Sequence, residues 1–407
     1  MSEKRTVNDL AILGGPKTFA EVRHVGAPNV GDRARLFARI DDLLDRRWLT
    51  NDGPLVQDFE KQISEKLGVR HCVALTNATI ALEITIRALE ISGEVIVPSL
   101  TFIATAHALQ WHGITPVFCD VDPKTFTLDP DRVEELITPQ TSAIMGVHLW
   151  GQPCRIDKLT GVARRNSLKL IFDAAHAFGC SWNGRMIGSF GDAEVFSFHA
   201  TKFFNTFEGG AVVTNDDKLA RQIRVMRNFG FAGYDEVVSL GTNGKMSEVS
   251  AAMGLTGLES LQQFIDANHS NHNQYREELS DVNGITLLTY DETEKNNYQY
   301  LVLFVDEAQT GITRDQLMNL LWAENVRARR YFYPGCHRMQ PYDTLYPDAA
   351  ARLPVTESVV QQVLLLPTGT TISPEDITRI CQIIKFAVSH GEELNQLMSA
   401  ELGTHAG

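Results

Sequence analysis

Two side chains in the middle of the chain have the types and the spacing for carbonyl–amine chemistry. Lys202 lies in His199-Ala200-Thr201-Lys202-Phe203-Phe204, just after the apolar run Glu194-Val195-Phe196-Ser197-Phe198. A lysine among aromatic neighbours can have a lowered pKa, and its neutral amine can then attack a carbonyl and later carry a proton. The same placement also suits a lysine whose stem crosses an apolar ledge and whose ammonium reaches water. Asp173 closes a second apolar run, Lys169-Leu170-Ile171-Phe172. A carboxylate at the end of a buried strand is desolvated unless it meets a positive partner. A pyridinium nitrogen would be such a partner; a helix N-cap or a surface salt bridge is the plainer alternative.

An anion site is suggested by Asn77-Ala78-Thr79, where an apolar run turns into a helical pattern. Free N–H groups at a helix start, with a threonine hydroxyl beside them, can hold a phosphate; an ordinary N-cap uses the same residues. Ser197 alternates with Phe196 and Phe198, points to the opposite face from both, and could add a hydrogen bond. Phe102, in Pro98-Ser99-Leu100-Thr101-Phe102, could stack on an aromatic ring or simply fill core. Gly14-Gly15 and Gly209-Gly210 do not follow a strand in a dinucleotide fingerprint and read as turns. The sequence holds no GxSxG elbow, no HExxH and no GxxxxGK[ST], which removes the usual support for hydrolase, zinc-peptidase and nucleotide triphosphatase readings. No metal site is expected.

These residues fall at the ends of elements that alternate. Apolar runs at 72–76, 94–98, 116–121, 143–149, 169–173 and 194–198 are separated by helical patterns near 79–91, 101–112, 130–137 and 156–166. Continuous apolar strands alternating with helices predict an α/β fold with a mostly parallel sheet covered on both faces. Residues 209–215 (GGAVVTN) read as a seventh strand, with an antiparallel direction open to it. Ligands in such sheets bind beyond the carboxyl ends of the strands, where Asp173, Ser197 and Asn77 stand. Ahead of the sheet, Asp32 caps a helix over 33–48, and 55–67 reads as a second helix. Beyond it, one helix over 247–278 leads to strands near 284–289 and 298–304 and helices near 313–324, 355–362 and 374–390. The expected organisation is an irregular segment 1–30, a large domain 31–265, a smaller α+β domain 266–395 and a loose tail 396–407.

Composition narrows the partners. The 407 residues carry a net charge of −13, which disfavours nucleic acid and anionic membrane, and obliges any phosphate to be held by local donors. No apolar run is long enough to span a bilayer, and the first fifteen residues lack a signal-peptide pattern. The six cysteines are scattered without close pairs, as in a reducing cytoplasm.

Several motifs recur in one order: Asp173-Ala174-Ala175-His176-Ala177, Gly188-Ser189-Phe190-Gly191-Asp192, Phe196-Ser197-Phe198 through Lys202, and Glu208-Gly209-Gly210-Ala211-Val212-Val213. With Thr50-Asn51-Asp52-Gly53-Pro54, Pro98 to Phe102, Val147 to Pro153 and Gly241 to Glu248, they resemble the DegT/StrS-type sugar-nucleotide aminotransferases, which are fold-type-I pyridoxal-phosphate enzymes. The resemblance runs from about residue 25 to 390.

That resemblance implies roles residue by residue. Lys202 matches the Schiff-base lysine, Asp173 the carboxylate on the pyridine nitrogen, and His176 the contact to the phenolic oxygen of pyridoxal 5′-phosphate. Ala78, Thr79 and Ser197 match the phosphate cradle, and Phe102 the stacking aromatic. Asn243 matches a residue that reaches the phosphate from a neighbouring subunit, which implies a homodimer with shared active sites. Thr50, Lys245, Tyr333 and His337 are candidate substrate contacts. The implied reaction moves an amino group from L-glutamate to a keto sugar nucleotide. Val25 to Asn29 and Thr201 to Glu208 look closest to members acting at C4 of dTDP-4-keto-6-deoxy-D-glucose. A C3 aminotransferase and a dehydratase on the same fold are the alternatives.

Overall fold

The computed structural model describes residues 4–404. Seven strands form the main sheet, in the order His71–Leu75, Gly210–Thr214, Ala193–Ser197, Lys169–Asp173, Thr141–Val147, Glu94–Pro98, Thr115–Cys119. Gly210–Thr214 runs antiparallel to both of its neighbours, and every other pairing is parallel. Each strand is buried almost throughout because helices cover both faces. One face packs Phe172, Phe196 and Phe198 with Phe59, Ile63 and Phe204. The other packs Ile171, Val195 and Val212 with Leu82, Ile86 and Leu109. Alternation along Ala193–Ser197 therefore turns Ser197 away from the phenylalanines on either side of it.

A smaller three-stranded antiparallel sheet, Ile285–Leu287, Leu301–Val305 and Val363–Leu366, packs on helices Arg314–Ala323 and Pro374–Ser389. The expected single helix over 247–278 is two: Glu248–Glu259 and Leu261–Leu279, broken at Ser260. The second starts in the large core with Leu261 and Phe264 and ends in the small core with Tyr275 and Leu279. The passage between the two units thus lies inside one helix, across the expected boundary at 265.

Both chain ends are more structured than the sequence suggests. Residues Val7–Asp9 and Ala11–Leu13 form single helical turns, and Val7, Leu10 and Phe19 enter the small core. Arg23–His24 pairs in parallel with Val326–Arg327. Val25 to Asn29 then lie along the lysine loop. A Cβ on Gly26, at φ +75°, would meet Thr201 O at 3.0 Å. Asn29 donates from Nδ2 to Phe203 O (2.8 Å) and accepts from Asn205 Nδ2 at its carbonyl (2.9 Å). Where a loose tail was expected from 396, a helix runs Gly391–Thr404, anchored by buried Leu394 and Met398; residues 405–407 lie outside the described residues.

Candidate active site

Asp173, Ser197, Lys202 and the start of helix Ala78–Ala88 come together at the carboxyl edge of the sheet. Gly210 stands opposite both Leu75 and Ser197, so Ser197 and the Asn77 turn flank one strand, about 10 Å apart. Asn77 caps the helix by accepting from Ile80 N–H (2.9 Å), and the N–H groups of Ala78 and Thr79 have no acceptor within the helix. A Cβ on Gly210 would lie 2.6 Å from Ala78 N, so only glycine lets the strand approach the helix start this closely.

Asp173 is buried, and its carboxylate accepts from Thr105 Oγ1 (2.8 Å) and Ala175 N–H (3.1 Å). Both donors are neutral. Burial pushes the carboxyl above its ordinary range, against the pull of these hydrogen bonds and of Lys202. A carboxylate so placed has the environment to meet a cationic ring nitrogen.

Lys202 sits in the turn after Ala193–Ser197, its N–H bonded to His199 O (2.9 Å). Its sequence neighbours Phe203 and Phe204 turn into the core, Phe204 stacking on Phe178 at 4.8 Å. The aromatic group at the amine is instead Tyr300, whose Oη lies 3.2 Å from Nζ. Burial holds the amine down at about 8, opposed by Asp173 and Tyr331. A fraction of the amine is therefore uncharged at neutral pH and competent as a nucleophile or base.

His176 is fixed from three sides. Its carbonyl accepts from Asn297 Nδ2 (2.9 Å) and Gln299 Nε2 (2.5 Å), and its ring stacks on Phe332 at 5.7 Å. Trp150, in a left-handed backbone at φ 53°, donates its N–H to His176 Nδ1 (3.2 Å). Burial keeps the imidazole neutral, so its proton resides on Nε2. Phe102 is 56% exposed at the rim, with its ring centre 6.0 Å from that of Phe332, and offers a free face for stacking.

The candidate substrate contacts scatter. His337 is buried, with Nδ1 on Ser99 Oγ (2.6 Å) and Nε2 on Glu357 Oε1 (2.5 Å), so both ring nitrogens are engaged within the fold. Tyr333 lies between the guanidinium groups of Arg330 (4.1 Å) and Arg314 (5.1 Å). Thr50 and Asn243 are exposed, and Lys245 Nζ donates to Asn243 Oδ1 (2.7 Å) above the ring of Phe229. Among the described residues, no hydrogen bond ties Thr50, Asn243 or Lys245 to Asp173, His176 or Lys202. The sequence reading omits Thr105, Trp150, Asn297, Gln299, Tyr300 and Tyr331. The only local sign of the last four is the density of amide and aromatic side chains in Asn296 to Tyr300 and Tyr331 to Tyr333. The fold alone brings Asn297 and Gln299 to His176 and Tyr300 and Tyr331 to Lys202.

Residues 31–385 match the DegT/DnrJ/EryC1/StrS aminotransferase family. The chain is 38% identical to a dTDP-4-amino-4,6-dideoxy-D-glucose transaminase of Shigella dysenteriae over 361 residues, which cover 89% of this chain and 98% of that one. It is 36% identical to a GDP-perosamine synthase of Caulobacter vibrioides, covering 88% and 95%. Among solved structures, DesI in the presence of its TDP-sugar product superposes with a TM-score of 0.92 at 50% identity, covering 97% of this chain and all of that one. The protein described here belongs to the DegT/DnrJ/EryC1/StrS aminotransferase family.

Proposed function

We propose that this aminotransferase moves the amino group of L-glutamate to C4 of dTDP-4-keto-6-deoxy-D-glucose, giving dTDP-4-amino-4,6-dideoxy-D-glucose. The observation that carries the reading is the likeness to DesI, at half identity over nearly the whole chain, in a structure with a TDP-sugar product.

Pyridoxal 5′-phosphate, the family's cofactor, supplies an aldehyde for an amine and a ring that accepts the electron pair left when an α-proton departs. The residues fit that group. Asp173 would face the ring nitrogen, His176 Nε2–H the phenolic oxygen, and Phe102 the ring. The free N–H groups of Ala78 and Thr79, with the hydroxyls of Thr79 and Ser197, would hold the phosphate. These are local donors, which a chain of charge −13 needs for an anion. Asp173 keeps a negative charge where a cation is wanted, and Thr105 and Ala175 hold it in register. Lys202 Nζ would take the proton from the donor's α-carbon and pass it to the cofactor, then in the second half take a proton back and deliver it to the sugar carbon being aminated. Glutamate and the keto sugar use one site in turn.

The working unit is read as a homodimer with shared active sites. Supporting this, Thr50 and Asn243 are exposed, Lys245 lies over the Phe229 ring, and Trp48, Leu49, Phe229, Tyr234, Val238 and Leu240 are exposed apolar side chains. Exposed apolar side chains of that kind suit burial against a second copy. The six cysteines are free and buried, which suits a cytoplasmic setting. Among the described residues no helix is long and apolar enough to cross a membrane.

The test is the absorbance of the reconstituted protein before and after L-glutamate, with Lys202→Ala beside it. The wild type is expected to show a violet-absorbing band that glutamate converts to shorter wavelength, and the variant to show neither. A wild type without that band would refute the cofactor assignment, and a band unmoved by glutamate would refute the donor.

A further inference from the structure

Tyr300 precedes the small-domain strand Leu301–Val305, and its buried ring meets the catalytic cluster from the opposite unit. Its Oη lies 3.2 Å from Lys202 Nζ and 3.4 Å from His176 Nε2. The ring centre is 5.8 Å from the same Nζ. Tyr331, the other phenol near the lysine, makes no hydrogen bond to it and carries Arg329 on its ring at 4.9 Å.

The proton positions follow from the donors around His176. Trp150 N–H occupies Nδ1, so the neutral imidazole carries its proton on Nε2, which faces Tyr300 Oη in the apoprotein and would turn to the phenolic oxygen when the cofactor is bound. The phenol oxygen therefore accepts on that side, and its own O–H is free to turn towards Lys202. When Nζ is an ammonium, it donates to Oη; when Nζ is a neutral amine, its lone pair accepts from the phenol. Burial raises the phenol above its ordinary range, so the hydroxyl keeps its proton in both states.

We propose that Tyr300 is a positioning residue, whose hydroxyl holds the Lys202 amine in line through both of its protonation states. The proposal rests on the reading of Lys202 as the proton carrier of amino transfer. Such a partner is useful because the lysine must take up a proton and give it up in each half-reaction without swinging away from the reacting carbon. A phenol can serve both states because it is donor and acceptor in one group.

The variant that isolates the hydroxyl is Tyr300→Phe. In the apoprotein, the pKa of Lys202 can be read from the pH dependence of its arylation by 2,4-dinitrofluorobenzene, followed on the Lys202 peptide. Loss of the phenol removes a charge-assisted bond to the ammonium and a weaker neutral bond to the amine. The pKa should therefore fall by about one unit. In the holoenzyme, the glutamate half-reaction should slow about 10- to 100-fold with KM little changed, and the isotope effect with α-deuterated glutamate should grow. Tyr275→Phe removes another buried phenol hydroxyl, bonded to Pro367 O at 3.0 Å, and should move neither readout. Should Tyr300→Phe fold poorly, Tyr300→3-fluorotyrosine keeps the shape while making the oxygen a better donor and a poorer acceptor, and should also lower the Lys202 pKa. An unchanged Lys202 pKa together with an unchanged isotope effect would overturn the proposal. Failure of the wild type to form its violet band would instead refute the cofactor reading, and the apoprotein arm would still report on Tyr300.

Discussion

Lys202 lies against the Tyr300 ring with Asp173 as a nearby opposite charge, and burial penalises the ammonium more than that charge supports it. Its pKa falls from 10.5 to about 8 in the folded chain. Below about pH 8 both folded and unfolded lysine carry the charge, and only the folded chain must bury it. The destabilisation is thus full below 8, fades as pH rises and is gone near 10.5. The apoprotein of Lys202→Met should therefore be more stable than wild type at pH 7, by on the order of 1–3 kcal/mol. The gain should vanish in alkali. Denaturant titrations at both ends of this range check it, and a gain independent of pH would contradict the buried-charge argument. At this scale the sequence reveals Asp173 and Lys202 because a carboxylate and an amine at the ends of apolar runs are conspicuous. Thr105 and Tyr300 are not, since nothing local separates them from other buried threonines and tyrosines.

Helix Ala78–Ala88 is the element on which the proposed phosphate site rests, and Gly210 is what lets its first turn approach the sheet edge. Gly210→Ala would place a methyl 2.6 Å from both Ala78 N and the Asn77 carbonyl carbon. Backbone must move to admit it, at about 1–3 kcal/mol. Affinity for pyridoxal 5′-phosphate should fall at least about 10-fold, equivalent to about 1.4 kcal/mol. A cofactor titration followed by absorbance reads this, and unchanged affinity would show that the helix start is not the phosphate site. The apolar runs placed most elements closely. Glu94–Pro98 and Lys169–Asp173 match their expected bounds, and the other strands of the main sheet differ by one or two residues. Three kinds of feature were less legible. Val363–Leu366 follows helix Pro354–Gln362 with no turn residue between them, so no strand is expected there. Ser260 breaks a helix with no glycine or proline at the break itself. The pairing of Arg23–His24 with Val326–Arg327 joins residues about 300 positions apart, and no local pattern foretells it.

The whole molecule joins two cores through one continuous helix and brings the small unit onto the catalytic edge through Asn297, Gln299 and Tyr300. The homodimer proposed above expects exposed apolar side chains such as Trp48 and Leu240 to be covered by a second copy. Trp48→Asp should convert a dimer to monomer in analytical ultracentrifugation and reduce turnover more than about 10-fold, since a shared site is lost with the partner. Retained activity in a proven monomer would argue against shared sites. Family membership and the placement of Lys202 leave the sugar carbon as the central claim, and one product analysis addresses it. The enzyme would be given ¹⁵N-labelled L-glutamate and dTDP-4-keto-6-deoxy-D-glucose, and the sugar nucleotide examined by NMR. Nitrogen bonded to C4 of a dTDP-linked 4,6-dideoxy sugar is the predicted result, absent with Lys202→Ala. Nitrogen at C3, or none on the sugar, would contradict the account.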